Sequence, residues 1–344
     1  MTDPLDQPLV TIVMPAFNAE RFLASTLRSA AAQTHANLQI IVVDDGSTDG
    51  TAETVRQHAA ADPRIELFSK ANAGVCAARN DGIRLARGEY VTFFDADDLW
   101  HASKIELQLR ALCQHPNPEQ VGAVYVLSRQ IDENDRLLFD YPTLAVQGRI
   151  LHRHLLTNFI ATGGGSLLCP RRVALEVGGF DVGYQACEDY DFQLRVAARY
   201  DIVAVEQYLM GYRQHPTSAS RNQLRMARSR RSVIEHHLEV NGIGGRCRRW
   251  AVGGVDVVEC GAYLASGKPI AALGAVWRLA LGDPRRLIWE VFVRLPLALA
   301  ARLDRRRKAP GPAFADLDPT QANPARAPGL LLARLQALEA EDAS

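Results

Sequence analysis

The chain has 344 residues, 47% of them apolar and 23% charged, with 39 basic and 39 acidic side chains. That length allows one generous domain with a sizeable core plus an appended segment. Up to residue 220 acids exceed bases by about eight, and beyond it the imbalance reverses by the same amount; the acidic front suits a metal or ligand, while the basic back interleaves arginine with apolar runs and gives no reason to invoke nucleic acid.

Short β-branched runs alternate with helical patterns through the first hundred residues. Leu9–Met14 reads as a strand, Glu20–Ala32 as a helix with Phe22, Leu23 and Leu27 on one side, and Leu38–Val43 as a second strand. That second run is apolar throughout, as a parallel strand covered on both faces should be. A helix from Thr51, strand Ile65–Ser69, helix Val75–Ala86 and strand Tyr90–Phe94 follow. This order predicts a doubly wound α/β sheet whose ligand sits outside the carboxyl ends of the strands.

Beyond residue 120, Val121–Ser128 and Arg136–Phe139 flank the turn-rich 132–135 and predict a hairpin. Gly163, Gly164 and Gly165 mark a close approach. Arg171–Val177 is a short helix ended by Gly178 and Gly179, Asp189–Arg199 a longer one, and Ile202–Val205 and Tyr208–Arg213 are two strands. The expected organisation is a catalytic domain over 1–220, a helical Arg-rich region over 221–308, and a Pro/Ala-rich linker with a short helix, Leu330–Glu341, over 309–344. The six cysteines are scattered without a C-x-x-C pair, which points to reduced thiols in the cytosol. The start lacks a basic n-region and a long apolar run, so no signal peptide is read there. No stretch reaches the roughly 18 uninterrupted apolar residues of a membrane span.

Polar clusters fall where strands end. Pro15 to Glu20 follow the first strand, and Asp44-Asp45-Gly46-Ser47-Thr48-Asp49 the second. Ser47, Thr48 and Asp49 read first as caps of the next helix. Asp45, beside an apolar strand where an unpartnered charge is costly, reads as a ligand contact. Asp95-Ala96-Asp97-Asp98 ends the fourth strand. Asp95 and Asp97, two apart, are expected on one side, where a divalent cation would relieve their repulsion. Arg79 lies on the third helix, where solvent exposure is the usual fate. Glu188-Asp189-Tyr190-Asp191 opens a helix; a carboxylate there is favoured by the dipole, and Asp189 is also placed to serve as a base. His215 sits in a loop, with structural and ligand roles both open.

Taken in order, these segments, together with Ala78-Arg79-Asn80 and Gly178-Gly179-Phe180-Asp181, resemble the inverting glycosyltransferase family 2 of the GT-A fold over roughly residues 9–217. The resemblance implies a nucleobase pocket lined by Pro15, Phe17 and Asp45 with Glu20 nearby, and Arg79 on the diphosphate. It implies Asp95 on ribose or metal, Asp97 on Mg²⁺ or Mn²⁺, and His215 on the metal or pyrophosphate. Asp189 would be the general base, and Gly164 and Gly165 would lie beside donor sugar and acceptor. The implied donor is a nucleoside-diphosphate sugar, UDP being the family's commonest, and the acceptor a glycan, a lipid-linked glycan or a protein in cell-surface glycan or polysaccharide synthesis. The Q-x-x-R-W signature of processive members is absent, which favours single-sugar transfer. A sugar nucleotidyltransferase and a silent sugar-nucleotide binder are the alternatives; residues 15–20 hold no Gly-rich basic loop for a triphosphate, and Asp97 with Asp189 argue for activity. Ala271–Leu281 and Leu287–Leu303, followed by Arg305-Arg306-Arg307-Lys308, fit either packing on the sheet or attachment to the inner face of a membrane.

Overall fold

The computed structural model describes residues 7–140, 145–160, 163–290 and 311–320. Its first half is built from β1 (Val10–Ala16), α1 (Glu20–Ala31), β2 (Leu38–Asp44), α2 (Thr51–Ala61), β3 (Ile65–Ser69), α3 (Val75–Leu85) and β4 (Tyr90–Phe93). These strands pair in parallel in the order β3-β2-β1-β4. Every residue of β1 and β2 is buried, which is why their apolar runs do not alternate. Helix α3 lies close against β1: a Cβ on Gly82 would collide with Val13.

The second half comprises β5 (Leu99–Trp100), α4 (Lys104–Cys113), β6 (Val121–Ile131), β7 (Leu137–Asp140), α5 (Leu151–Leu156), β8 (Leu167–Pro170), α6 (Arg171–Glu176), α7 (Glu188–Ala197) and β9 (Asp201–Arg213). The sheet continues β4-β8-β6-β9-β5, with β7 on β6 as the predicted hairpin. Strands β1 to β4, β6 and β9 share one direction; β5, β7 and β8 oppose it. The two strands expected over 202–213 are one. Val205 pairs with Val126 and Tyr208 with Leu127, so Glu206 and Gln207 form an irregularity inside a continuous strand. Their polarity is what broke the apolar pattern.

Alternate residues of the strands feed two core clusters. Val10, Ile12 and Met14 join one, and Val13 joins the other. The second cluster also takes in α8 (Gln223–Val240) and α9 (Gly245–Ala265): Val233, Ile234, Leu238, Trp250 and Val255 share it with Tyr190 and Phe192 of α7. Helices α8 and α9 therefore pack against the sheet and α7. Helix α10 (Pro269–Gly282) stacks on α9 and on α11 (Pro284–Trp289), and Arg286 of α11 reaches the Trp250 carbonyl of α9. Arg231 of α8 reaches Asp256 at 2.7 Å and Glu259 at 2.8 Å, and Arg278 of α10 reaches the same two acids at 2.9 and 2.6 Å, binding three helices together. The expected helix 330–341, the basic run 305–308 and the apolar stretch beyond residue 290 lie outside the described residues.

Candidate active site at the carboxyl ends of the strands

The loops leaving β1 and β2 interlock. Asn18 N donates to Ser47 Oγ at 2.9 Å and Thr48 N to Asn18 Oδ1 at 2.9 Å; Ala19 N donates to Thr51 Oγ1 at 2.8 Å. Glu20 N donates to Asp49, while the Glu20 carboxylate accepts from Gly50 N at 3.0 Å, where α2 begins. Glu20 is thus engaged at a helix start. Asn18 and Gly46 take positive φ, 49° and 79°, to make these turns. Pro15 is buried in β1, and Phe17 stands 53% exposed beside it. The buried Asp45 does not hold its carboxylate open. One oxygen accepts from Ala73 N at 2.9 Å and the other from Gly74 N at 2.7 Å, so its charge fastens the loop before α3.

The next turn carries the acidic cluster. Strand β4 ends at Phe93, so Asp95 and Asp97 lie in a tight turn closed by Asp98 N on Asp95 O at 3.2 Å, and the expected strand alternation does not apply. Each carboxylate has its own partner. Asp95 accepts from Arg79 Nη2 at 2.7 Å, and Asp97 Oδ2 lies 2.8 Å from His215 Nε2. Burial pushes Asp95 above the usual carboxylate range; Arg79 opposes the shift and Asp97 adds to it. Asp98 is fully buried and is pushed well above that range, by burial and then by Asp97 and Asp95.

Arg79 is 3% exposed, contrary to the usual fate of a helical arginine. Its terminal nitrogens are taken by Asp95 and by Glu188 Oε1 at 2.8 Å, and its guanidinium faces the Phe180 ring at 5.1 Å. Burial works against its charge, but Asp95 and Glu188 outweigh that and hold its pKa above the ordinary value. It thereby bridges two acidic turns, that of Asp95 and that of Glu188. Arg213, for which no role is read from local pattern, is also buried. It donates to the carbonyl of Asp97 and to Asp135, its backbone N donates to Asp98 at 2.9 Å, and its guanidinium faces Phe22 at 4.6 Å. It fixes the acidic turn against the end of β9. Its signal was its place in β9, one residue before the loop that carries His215.

Asp189 stands in the first turn of α7, next to Glu188. Its Oδ1 accepts from Tyr190 N at 2.7 Å. Burial, then the Glu188 charge, raise its pKa to about 7, with Arg79 pulling the other way. A carboxylate poised there can take a proton near neutrality. Cys187, just before it, holds the left-handed region at φ 60°. Gly164 and Gly165 come close to Phe93 and Met210: added Cβ atoms would lie 3.1 Å from Phe93 Cβ and 2.6 Å from Met210 Cε. The close approach predicted for these glycines is to the protein's own strands. Trp100 stacks on Phe94 at 3.8 Å and packs there. Cys76 is buried and pushed up to about 11, far from a reactive thiolate.

Among the described residues no three His, Cys, Asp or Glu side chains converge as a ready metal cage. Asp97 and His215 nevertheless bring one carboxylate and one imidazole together, with Asp95 in the same turn. That donor set fits Mg²⁺ or Mn²⁺, which takes few protein ligands and completes its shell with phosphate and water.

The sheet and its flanking helices have the GT-A arrangement. The mannosyltransferase PcManGT of Pyrobaculum calidifontis, in complex with GDP-Man and Mn²⁺, is 21% identical, with a TM-score of 0.51 over 90% of each chain. S. aureus TarS 1-349, in complex with UDP-GlcNAc, is 16% identical with a TM-score of 0.57 over 87% of this chain and 89% of its own. The family model described as Glycosyl transferase family 2 matches residues 11–168. An uncharacterized glycosyltransferase of Rickettsia typhi is 32% identical over 224 residues, 63% of this chain and 68% of that relative. The chain belongs to glycosyl transferase family 2. It spans between 26% and 45% of the length of the first curated relatives it matches.

Proposed function

We propose that the protein transfers a single sugar, with inversion, from a nucleoside-diphosphate sugar to an acceptor hydroxyl in cell-surface glycan or polysaccharide synthesis, and that Asp189 is its general base. The observation carrying this reading is the Asp189 carboxyl, raised to about 7 beside the Arg79 bridge. The segment matched by the family model ends at residue 168, so the role of Asp189 rests on its geometry.

Asp189 accepts the acceptor's hydroxyl proton; the freed oxygen pair forms the bond to the anomeric carbon; the bond from that carbon to the diphosphate oxygen breaks and its electron pair leaves with the nucleoside diphosphate. A single displacement inverts the centre. Phe17, two residues after the buried Pro15, offers an exposed ring for the base. Asp97 and His215, with Asp95, would hold Mg²⁺ or Mn²⁺, which would supply positive charge against the leaving diphosphate. Arg79 acts as a positioning residue, keeping the turns of Asp95 and Glu188 in register. Support for a nucleotide-sugar donor comes from the shared fold with proteins solved in complex with GDP-Man and UDP-GlcNAc. UDP is the donor nucleotide we propose, and the cytoplasm the site of action.

The test is Asp189→Asn, assayed for release of nucleoside diphosphate with a panel of sugar nucleotides and for donor binding. Turnover should fall by about 10²- to 10⁴-fold while donor affinity stays within about twofold. Normal turnover in the variant would remove Asp189 from the reaction.

A further inference from the structure

Apart from Arg278, which pairs with acids of α9, helix α10 carries no charged or polar side chain. Ala272, Ala275 and Leu279 are buried against its neighbours, yet the opposite face is also apolar: Ile270, Leu273, Trp277 and Leu281 are 85%, 68%, 67% and 71% exposed. These positions follow one another at helical spacing and form one stripe. Leu264 near the end of α9 and Ile288 on α11 are exposed as well. Single exposed apolar side chains are commonplace, but a continuous stripe with a tryptophan calls for an occupant.

The charge carried along this stretch of the sequence says which. From Lys268 to Lys308 the sequence holds ten basic residues and three acidic ones, and α10 itself contains no acid. Lys268 and Arg285 are exposed at the two ends of the stripe. The chain is held where it leaves this surface: Arg286 is buried, donates to the Trp250 carbonyl at 3.0 Å, faces the Trp250 ring at 4.3 Å and pairs with Glu290 at 3.2 Å. The sequence then runs through Val291–Ala301, with Arg294 and Pro296 inside it, to Arg305-Arg306-Arg307-Lys308. A second copy docking stripe to stripe would bring Lys268 and Arg285 of both copies to one seam, which like-charge repulsion opposes. An anionic bilayer answers both features at once, taking the apolar stripe into the acyl boundary and the basic margin onto its headgroups. At 14 residues α10 is about 21 Å long, and no described helix is long and apolar enough to cross a membrane, so it would lie in the interface.

We propose that α10 is a membrane-surface helix, through which the protein binds the anionic leaflet of a lipid bilayer by Ile270, Leu273, Trp277 and Leu281. The stripe shares no residue with the site at the strand ends, so the proposal stands apart from the assignment of the reaction.

The experiment is co-sedimentation of the full chain with phosphatidylcholine vesicles, with and without about 30% phosphatidylglycerol, alongside the double variant Leu273→Glu, Trp277→Glu. Both side chains point to solvent, so the variant should fold; its circular dichroism and unfolding midpoint check that it does. The wild-type chain should partition at least about tenfold more strongly onto the anionic vesicles, and the variant should lose that gain. In a Trp289→Phe background, tryptophan emission should shift to the blue on binding and lose most of that shift when Trp277→Glu is added, since Trp100 and Trp250 are already buried. Three results would overturn the proposal: no binding by the wild type, equal binding by a folded variant, or a variant defect confined to self-association in sedimentation velocity. The last would make the stripe a contact between copies; equal binding by the variant would mean that other residues bind lipid.

Discussion

The two adjacent carboxylates at the start of α7 allow a direct test through Glu188→Gln. Asp189 is raised to about 7 by burial first and by the Glu188 charge second. Glu188 is itself drawn towards Arg79, 2.8 Å away, so only part of its charge acts on its neighbour. A full unit charge a few ångströms off at an effective dielectric near 20 is worth up to about 4 kcal/mol. With Arg79 offsetting much of that, about 1.4 kcal/mol remains, or about one pKa unit. In the wild type, kcat/KM should therefore fall to about a tenth of its plateau one unit below the pKa, near pH 6. In Glu188→Gln the acid limb should move down by about one unit, so that at pH 6 about half the plateau is retained. The assay is the initial rate of nucleoside diphosphate release from pH 5.5 to 9, with donor well below KM. Superimposed profiles for the two proteins would refute the electrostatic coupling, and a wild-type limb below about pH 5 would refute the raised carboxyl itself.

The same raised pKa has a consequence for stability. Asp189 is lifted above its unfolded value of 3.8, so the folded state favours its protonated form. The stability this contributes is fully present below about pH 4 and is lost as pH rises through about 7. Asp189→Asn should therefore be more stable than the wild type at pH 8, by about 1–2 kcal/mol after allowance for solvent reaching the carboxyl, and should match it near pH 4 in urea unfolding. Arg213→Met should lose about 2–3 kcal/mol in the same measurement at neutral pH, because the buried guanidinium joins Asp135 to the carbonyl of Asp97. It should also weaken donor binding, as the acidic turn loses its brace. A variant of unchanged stability and affinity would mean that the turn holds itself.

What was legible in the sequence divides along physical lines. Strands β1 and β2 showed themselves because a strand covered on both faces must be apolar without interruption. Helix α1 was read from the spacing of its apolar residues, and its boundary came within one residue. Strand β8, four residues between β4 and β6, is too short to carry a period and went unread, as did β5 and α5. Strand β9 was split because Glu206 and Gln207 interrupt it, and a sequence does not distinguish a bulge from a gap.

The acidic cluster was legible as chemistry, since charges gathered after a buried strand demand partners. Its partners were not. Asp97 and His215 are 118 positions apart, and Arg79 and Glu188 are 109 apart. Such pairs depend on tertiary packing, which local pattern does not encode. That is why the burial of Arg79 between two acids and the brace formed by Arg213 have no local signature. Asp45 was legible as a buried charge needing partners; two backbone N–H groups before α3 are among them.

The most direct test of the account is a calorimetric titration of the full chain with UDP-sugars in the presence of Mn²⁺ and again after chelation, with Asp97→Ala alongside. The account predicts at least about tenfold tighter donor binding with Mn²⁺ and the loss of that gain in the variant. A donor held equally well in chelator, or an Asp97→Ala protein that keeps the full metal-dependent gain, would contradict it.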